Sequence, residues 1–142
     1  MFSVITAYNA ATPEAKKQLE QVIISAGCDP VNVTTLSEAV EVLREKQATL
    51  LIVGQEFEHG SVLDLIPIFK HLQRDLKIIL LADSASEGFL RQARSAGIFY
   101  HALEPNDAED CKELQLVLEC AKEAIAKKRA PFWQRLSPAL RA

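Results

Sequence analysis

Cysteine is scarce in this 142-residue chain: Cys28, Cys111 and Cys120 are odd in number and share no ligand-like spacing. That pattern excludes a disulfide framework and a Cys-based metal site, and fits a reduced intracellular setting. Glycine is as sparse, with five residues, and none falls in a P-loop, a GxGxxG or a GxSxG motif. Each glycine, at 27, 54, 60, 88 and 97, has a turn or cap explanation instead. No apolar run approaches the ~18 residues that would cross a bilayer. Residues 1–6 also lack the basic start and long apolar core of a signal peptide. A cytoplasmic protein is expected.

Basic residues are short everywhere except at the end. The net charge is −3, yet residues 124–142 hold five bases (Lys127, Lys128, Arg129, Arg135, Arg141) and no acid. Taking those five from sixteen leaves eleven bases against nineteen acids in the remainder, a charge of −8. An acidic body of this kind lacks the basic face that nucleic acid requires. With 49% hydrophobic and 25% charged residues, the composition is that of an ordinary globular domain, long enough to bury a core without staples.

What is present is a regular alternation. Residues 48–54 form a short run, apolar at nearly every position, that ends in Gly54, the signature of a strand covered on both faces. It reads as the centre of a parallel sheet, and chemistry in such sheets sits at the carboxyl ends of the strands. Before it, residues 3–8 read as a first strand rich in β-branched residues. Thr12 and Pro13 open a helix as N-cap and first helical residue, with Leu19, Val22 and Ile23 on its apolar face and Gly27 as its stop. Residues 30–34 form a weaker edge strand. Thr35 and Glu38 have capping-box spacing ahead of a second helix.

After the central strand, residues 61–75 read as a third helix interrupted by Pro67; an N-cap at Asp64 would place that proline in the first turn, where it costs little. Residues 77–82 make another fully apolar strand, and 84–87 a further capping box, opening a helix that carries Phe89, Leu90 and Ala93 and stops at Gly97. Residues 98–103 form the last strand. Asn106 and Asp107 then cap a helix whose buried stripe is Leu114, Val117, Leu118, Ala121 and Ile125. Five strands alternate with five helices. The expected fold is a doubly wound α/β sandwich, its five parallel strands in the order 2-1-3-4-5.

Five βα units, with Gly97 seven residues before Glu104 and Pro105, resemble the receiver domain of bacterial response regulators, the CheY-like domain, over residues 2–128. The resemblance rests on pattern and spacing. In that family an acidic pair ends the first strand and holds Mg²⁺, and an aspartate ending the third strand accepts a phosphoryl group. A Thr or Ser ends the fourth strand, and a lysine precedes the proline after the fifth. Divalent cations need oxygen ligands, and a transferred phosphoryl group needs positive charge around it. Here the acidic pair falls on Tyr8 and Asn9, the acceptor on Gly54, the hydroxyl on Ala82 and the lysine on Glu104. The resemblance therefore implies a degenerate pseudo-receiver with its phosphotransfer residues erased. The family's aromatic switch position falls on His101, where an imidazole is the physiological titrating group; the plainer reading is a half-exposed polar residue on an edge strand.

Glu56, Asp83 and Glu104 stand where a weak cation site would form, but carboxylates at strand ends are by default solvated, and no metal or cofactor is assigned. His59, His71 and His101 lie on three elements without ligand spacing. Residues 129–142 form a separate basic tail holding Phe132, Trp133 (the sole tryptophan), Leu136 and Leu140 near helical spacing. It either folds back over its own domain, docks on a protein partner, or meets nucleic acid or an anionic membrane. The expected function is a non-enzymatic, phosphorylation-independent signalling module that binds a protein partner or a second copy of itself. By resemblance it belongs to two-component signalling, and its binding surface is the tail or the face built by the fourth helix, fifth strand and fifth helix (residues 89–94, 100–103 and 114–120). The alternative is a domain sensing a small molecule or nucleotide at the emptied strand ends.

Overall fold

The computed structural model describes residues 2–9, 12–46 and 49–129. In chain order the elements are β1 (Phe2–Ala7), α1 (Pro13–Ser25), β2 (Cys28–Asn32), α2 (Leu36–Lys46), β3 (Leu50–Val53), β4 (Glu56–Phe57), β5 (Gly60–Ser61), α3 (Val62–Leu72), β6 (Lys77–Leu81), α4 (Glu87–Ala96), β7 (Tyr100–Ala102) and α5 (Ala108–Arg129). Five strands form one parallel sheet in the order β2-β1-β3-β6-β7, and β4 pairs with β5 as a separate antiparallel ribbon. Counting only the main sheet, this is the 2-1-3-4-5 order expected from the sequence.

β3 is central because every one of its side chains is apolar and fully buried. Its alternate residues feed two cores. Leu51 and Val53 pack with Ala39 and Leu43 of α2, with Val62, Ile66 and Phe69 of α3, and with Ala93 of α4. Leu50 and Ile52 pack with Leu19, Val22 and Ile23 of α1 and the whole expected stripe of α5. A strand covered on both sides has no polar face to show, which is why its sequence does not alternate.

Local signals account for most boundaries. Thr12 caps α1, its hydroxyl accepting from the Ala15 N–H at 3.1 Å, and Pro13 takes the first helical position. Gly27, with φ +79°, makes the turn that no β-carbon tolerates well, and Gly97, with φ +107°, closes α4 in the left-handed conformation. Thr35 accepts from the Glu38 N–H at 3.1 Å, as the capping-box spacing predicts.

Four expectations are corrected. The second strand is Cys28–Asn32, two residues earlier than expected, because it pairs with β1 from Phe2 onward. The cap of α3 is Ser61, not Asp64: its hydroxyl accepts from the Leu63 N–H, and the Val62 N–H is held by the Gln55 carbonyl at 2.9 Å. Pro67 thus sits inside α3, past the first turn, with its ring on the exposed side, so one backbone bond to the Leu63 carbonyl is forgone. The cap of α4 is Ser86 rather than Ser84, accepting from the Phe89 N–H at 3.1 Å. Among the described residues, no helix is long and apolar enough to cross a membrane.

Candidate functional site

The parallel sheet delivers the ends of β1, β3, β6 and β7 to one rim. There Tyr8, Asn9, Gly54, Gln55, Glu56, Ala82, Asp83 and Glu104 surround an open concavity of about 530 Å³. The five residues that the resemblance matched to phosphotransfer positions, Tyr8, Asn9, Gly54, Ala82 and Glu104, are therefore brought together, with Glu56 and Asp83 beside them.

Gly54 is buried beneath the Tyr8 ring. A β-carbon added at residue 54 would stand 3.1 Å from Tyr8 Cδ2 and 3.5 Å from Cε2, tighter than ordinary van der Waals contact on the first count. The space an acceptor side chain would need is thus partly taken by an aromatic ring from the neighbouring strand. Across the rim the Tyr8 phenol is hydrogen-bonded to the Glu104 carboxylate. Burial first, then that hydrogen bond, then the negative charges of Glu104 and Asp83 push the phenol's pKa well above the ordinary tyrosine range. The phenol is accordingly the donor in this pair.

Asp83 holds the other side. One carboxylate oxygen accepts the Glu104 N–H at 2.7 Å, and the second takes a longer contact of 3.4 Å from the Asn106 amide. Both acceptor oxygens are thus engaged by the segment that follows β7. Glu56, Asp83 and Glu104 share the rim, yet among the described residues no group of three or more His, Cys, Asp or Glu is placed to hold a metal. The lining contains no lysine or arginine.

Ala82, nearly fully buried, offers only backbone. Its N–H donates to the Ala102 carbonyl at 3.1 Å, and its own carbonyl is 2.7 Å from Nε2 of His101. The His101 ring on edge strand β7 is half-buried and pinned to that carbonyl, so the imidazole is tied to the residue that the resemblance matched to the family's hydroxyl position. His71 is exposed on α3, and His59 is exposed at the tip of the ribbon, beside a second concavity of about 410 Å³ that it lines with Phe89. The three histidines stay apart.

The β4–β5 ribbon is the feature the sequence concealed. Glu58 and His59 form its two-residue turn with φ of +53° and +65°. Both lie in the left-handed region, where hairpin turns of this length ordinarily carry Asn or Gly. The turn is anchored: a Glu58 carboxylate oxygen accepts the Leu36 N–H at 2.9 Å, capping the start of α2 from across the chain. On the face of α4, β7 and α5, Tyr100 (42% exposed), Leu103 (44%) and Leu116 (55%) are the large apolar side chains shown to solvent. The candidate partner-binding residues Phe132, Trp133 and Leu136 lie outside the described residues.

No protein-family model matches this sequence, and no curated protein does. Solved structures do match. The signal receiver domain of an HD domain-containing protein from Pseudomonas fluorescens Pf-5 superposes with a TM-score of 0.75 at 17% identity, covering 90% of this chain and 91% of its own. A response regulator receiver domain protein from Clostridium thermocellum gives 0.73 at 12% identity, over 89% and 98%. The beryllofluoride-activated NtrC4 receiver domain dimer gives 0.72 at 18% identity, over 87% and 98%. At these identities the likeness defines the fold, which is that of the CheY-like receiver.

Proposed function

We propose that this chain is a receiver-like signalling module that acts by binding another protein, without being phosphorylated and without catalysis of its own. The observation that carries this reading is Gly54 at the end of β3 with the Tyr8 ring standing over it. A phosphoryl group placed there would find no acceptor carboxylate on the strand, no basic side chain in the lining and three carboxylates around it. Receiver domains among the structural neighbours support a place in two-component signalling, and the activated NtrC4 domain is described as a dimer. The exposed Tyr100, Leu103 and Leu116 support a protein-binding role for the face of α4, β7 and α5. The basic tail, with Phe132, Trp133 and Leu136, is assigned to partner binding on its composition.

Incubation with a small acyl-phosphate donor and Mg²⁺, followed by intact mass, tests the reading. No adduct is expected; a stable aspartyl-phosphate mass would overturn it. The second reading, a small-molecule or nucleotide sensor, is favoured by the openness of the concavity and by Tyr8, Gln55 and Asp83 in its lining. Against nucleotides stand the three rim carboxylates and the absence of any base in the lining. A thermal-shift series with nucleotides and neutral metabolites separates the two readings. A saturable rise in melting temperature that Tyr8→Ala abolishes selects the sensor.

A further inference from the structure

A third concavity, of about 440 Å³, lies where β1 and β2 end and α1 begins. Tyr8 lines it as well as the rim concavity, so one aromatic side chain is a wall of both. The two differ in sign. Where the rim gathers carboxylates, the only charged side chain lining this cavity is Lys16, fourth in α1. Among the described residues its ammonium has no hydrogen-bond or ion-pair partner.

The other polar groups divide by what they have left to offer. The Thr12 hydroxyl, one turn before Lys16, accepts the Ala15 N–H at 3.1 Å, which leaves its own proton free. Both residues are exposed and form the mouth. Thr6 is 2% exposed and stands at the floor. Its one proton goes to the Asn32 side-chain oxygen, so lone pairs remain on both oxygens. Asn32 in turn donates to Glu20 at 3.1 Å, and the Thr34 hydroxyl donates to Glu38 at 2.8 Å. The mouth is thus positive and donating, and the floor accepting. Between them the Tyr8 ring, Pro13 and Val33 supply apolar wall.

We infer that this cavity binds a small organic monocarboxylate whose apolar body carries a hydroxyl or amino group at its far end. The carboxylate takes the Lys16 ammonium and the Thr12 proton, a charge-assisted pairing. The far group donates to Thr6 and Asn32, whose lone pairs a wholly apolar ligand would cut off from water without replacement. One ammonium matches one negative charge. A phosphate dianion finds no second base in the lining, and Glu20 and Glu38 are already bonded to its polar residues. Lys16, Thr12 and Thr6 lie outside the rim lining, so the site is independent of the reading proposed for Gly54.

The probe is 4-hydroxybenzoate, a flat ring with a carboxylate at one end and a hydroxyl at the other, titrated into the full chain and followed by amide chemical shifts. Saturable binding is expected, with a Kd at or below about 1 mM. Lys16→Met should weaken it at least about tenfold, and Lys16→Arg should largely keep it. Lys16 is exposed and unpartnered among the described residues, so the loss reports binding rather than misfolding. Replacing the probe by 4-hydroxybenzamide, which lacks the charge, or by benzoate, which lacks the donor, should each cost about tenfold as well. No saturation up to about 10 mM, an affinity indifferent to Lys16→Met, or inorganic phosphate bound as tightly as the probe would each overturn the inference. So would an affinity that changes as much with Glu56→Gln, which lines the rim and not this cavity, as with Lys16→Met. The phosphodonor experiment is independent of all these outcomes.

Discussion

The Tyr8 ring stands 3.1 Å from where a β-carbon on residue 54 would be, so one aromatic side chain and one glycine are fitted to each other across the end of two neighbouring strands. The bare backbone at 54 and the ring at 8 form a single packing unit. Ring and glycine together close the floor of the concavity.

Gly54→Asp is therefore expected to destabilise the fold by about 1–3 kcal/mol, the usual cost of overpacking. With Tyr8→Ala in the same chain the penalty should shrink, so the double-mutant cycle in urea will show coupling of about 1 kcal/mol or more. Additive penalties would mean that the ring moves away freely and that the contact does not constrain residue 54.

The phenol's raised pKa fixes the sign of a pH effect. Folded Tyr8 holds its proton more tightly than the unfolded chain does, so its contribution is complete below the unfolded value near 10 and declines as pH rises beyond it. The wild type should lose stability between about pH 8 and pH 11 more steeply than Tyr8→Phe, which has no proton to lose. At neutral pH, Tyr8→Phe should cost about 1 kcal/mol for the lost bond to Glu104. Parallel denaturation curves for the two proteins at both pH values would show that the phenol is not held as described.

In the ribbon turn, Glu58 and His59 share a left-handed backbone but differ in what their side chains do. His59→Gly removes strain only, and should raise stability by about 0.5–1 kcal/mol. Glu58→Gly removes the same strain together with the cap on Leu36, worth ~1 kcal/mol, and should show no net gain. Equal gains from the two changes would assign the Glu58 carboxylate no part in holding α2.

Much of the architecture was legible because β3 and β6 are apolar on both faces and the helices carry explicit stops at Gly27 and Gly97. The ribbon was not. Its turn uses Glu and His where the recognisable pair would be Asn and Gly, so residues 55–60 read only as a polar stretch ahead of the third helix. That omission propagated: with the ribbon unseen, nothing favoured Ser61 over Asp64 as the cap of α3, and Pro67 was placed in the wrong turn. The positions of Tyr8, Asn9, Gly54, Ala82 and Glu104 at one rim followed from strand order. What each side chain does there did not follow, because the stacking of Tyr8 on Gly54 and the tie from Asp83 to the Glu104 backbone depend on distances between strands that sequence spacing does not encode.

The bond from Leu36 to Glu58 makes the ribbon and α2 one lever. Its short arm is at the rim, where Gln55 and Glu56 line the concavity; its long arm is α2. Anything that lifts the short arm uncaps the long one. A displacement at the strand ends would thus reach the first turn of α2 through a single hydrogen bond.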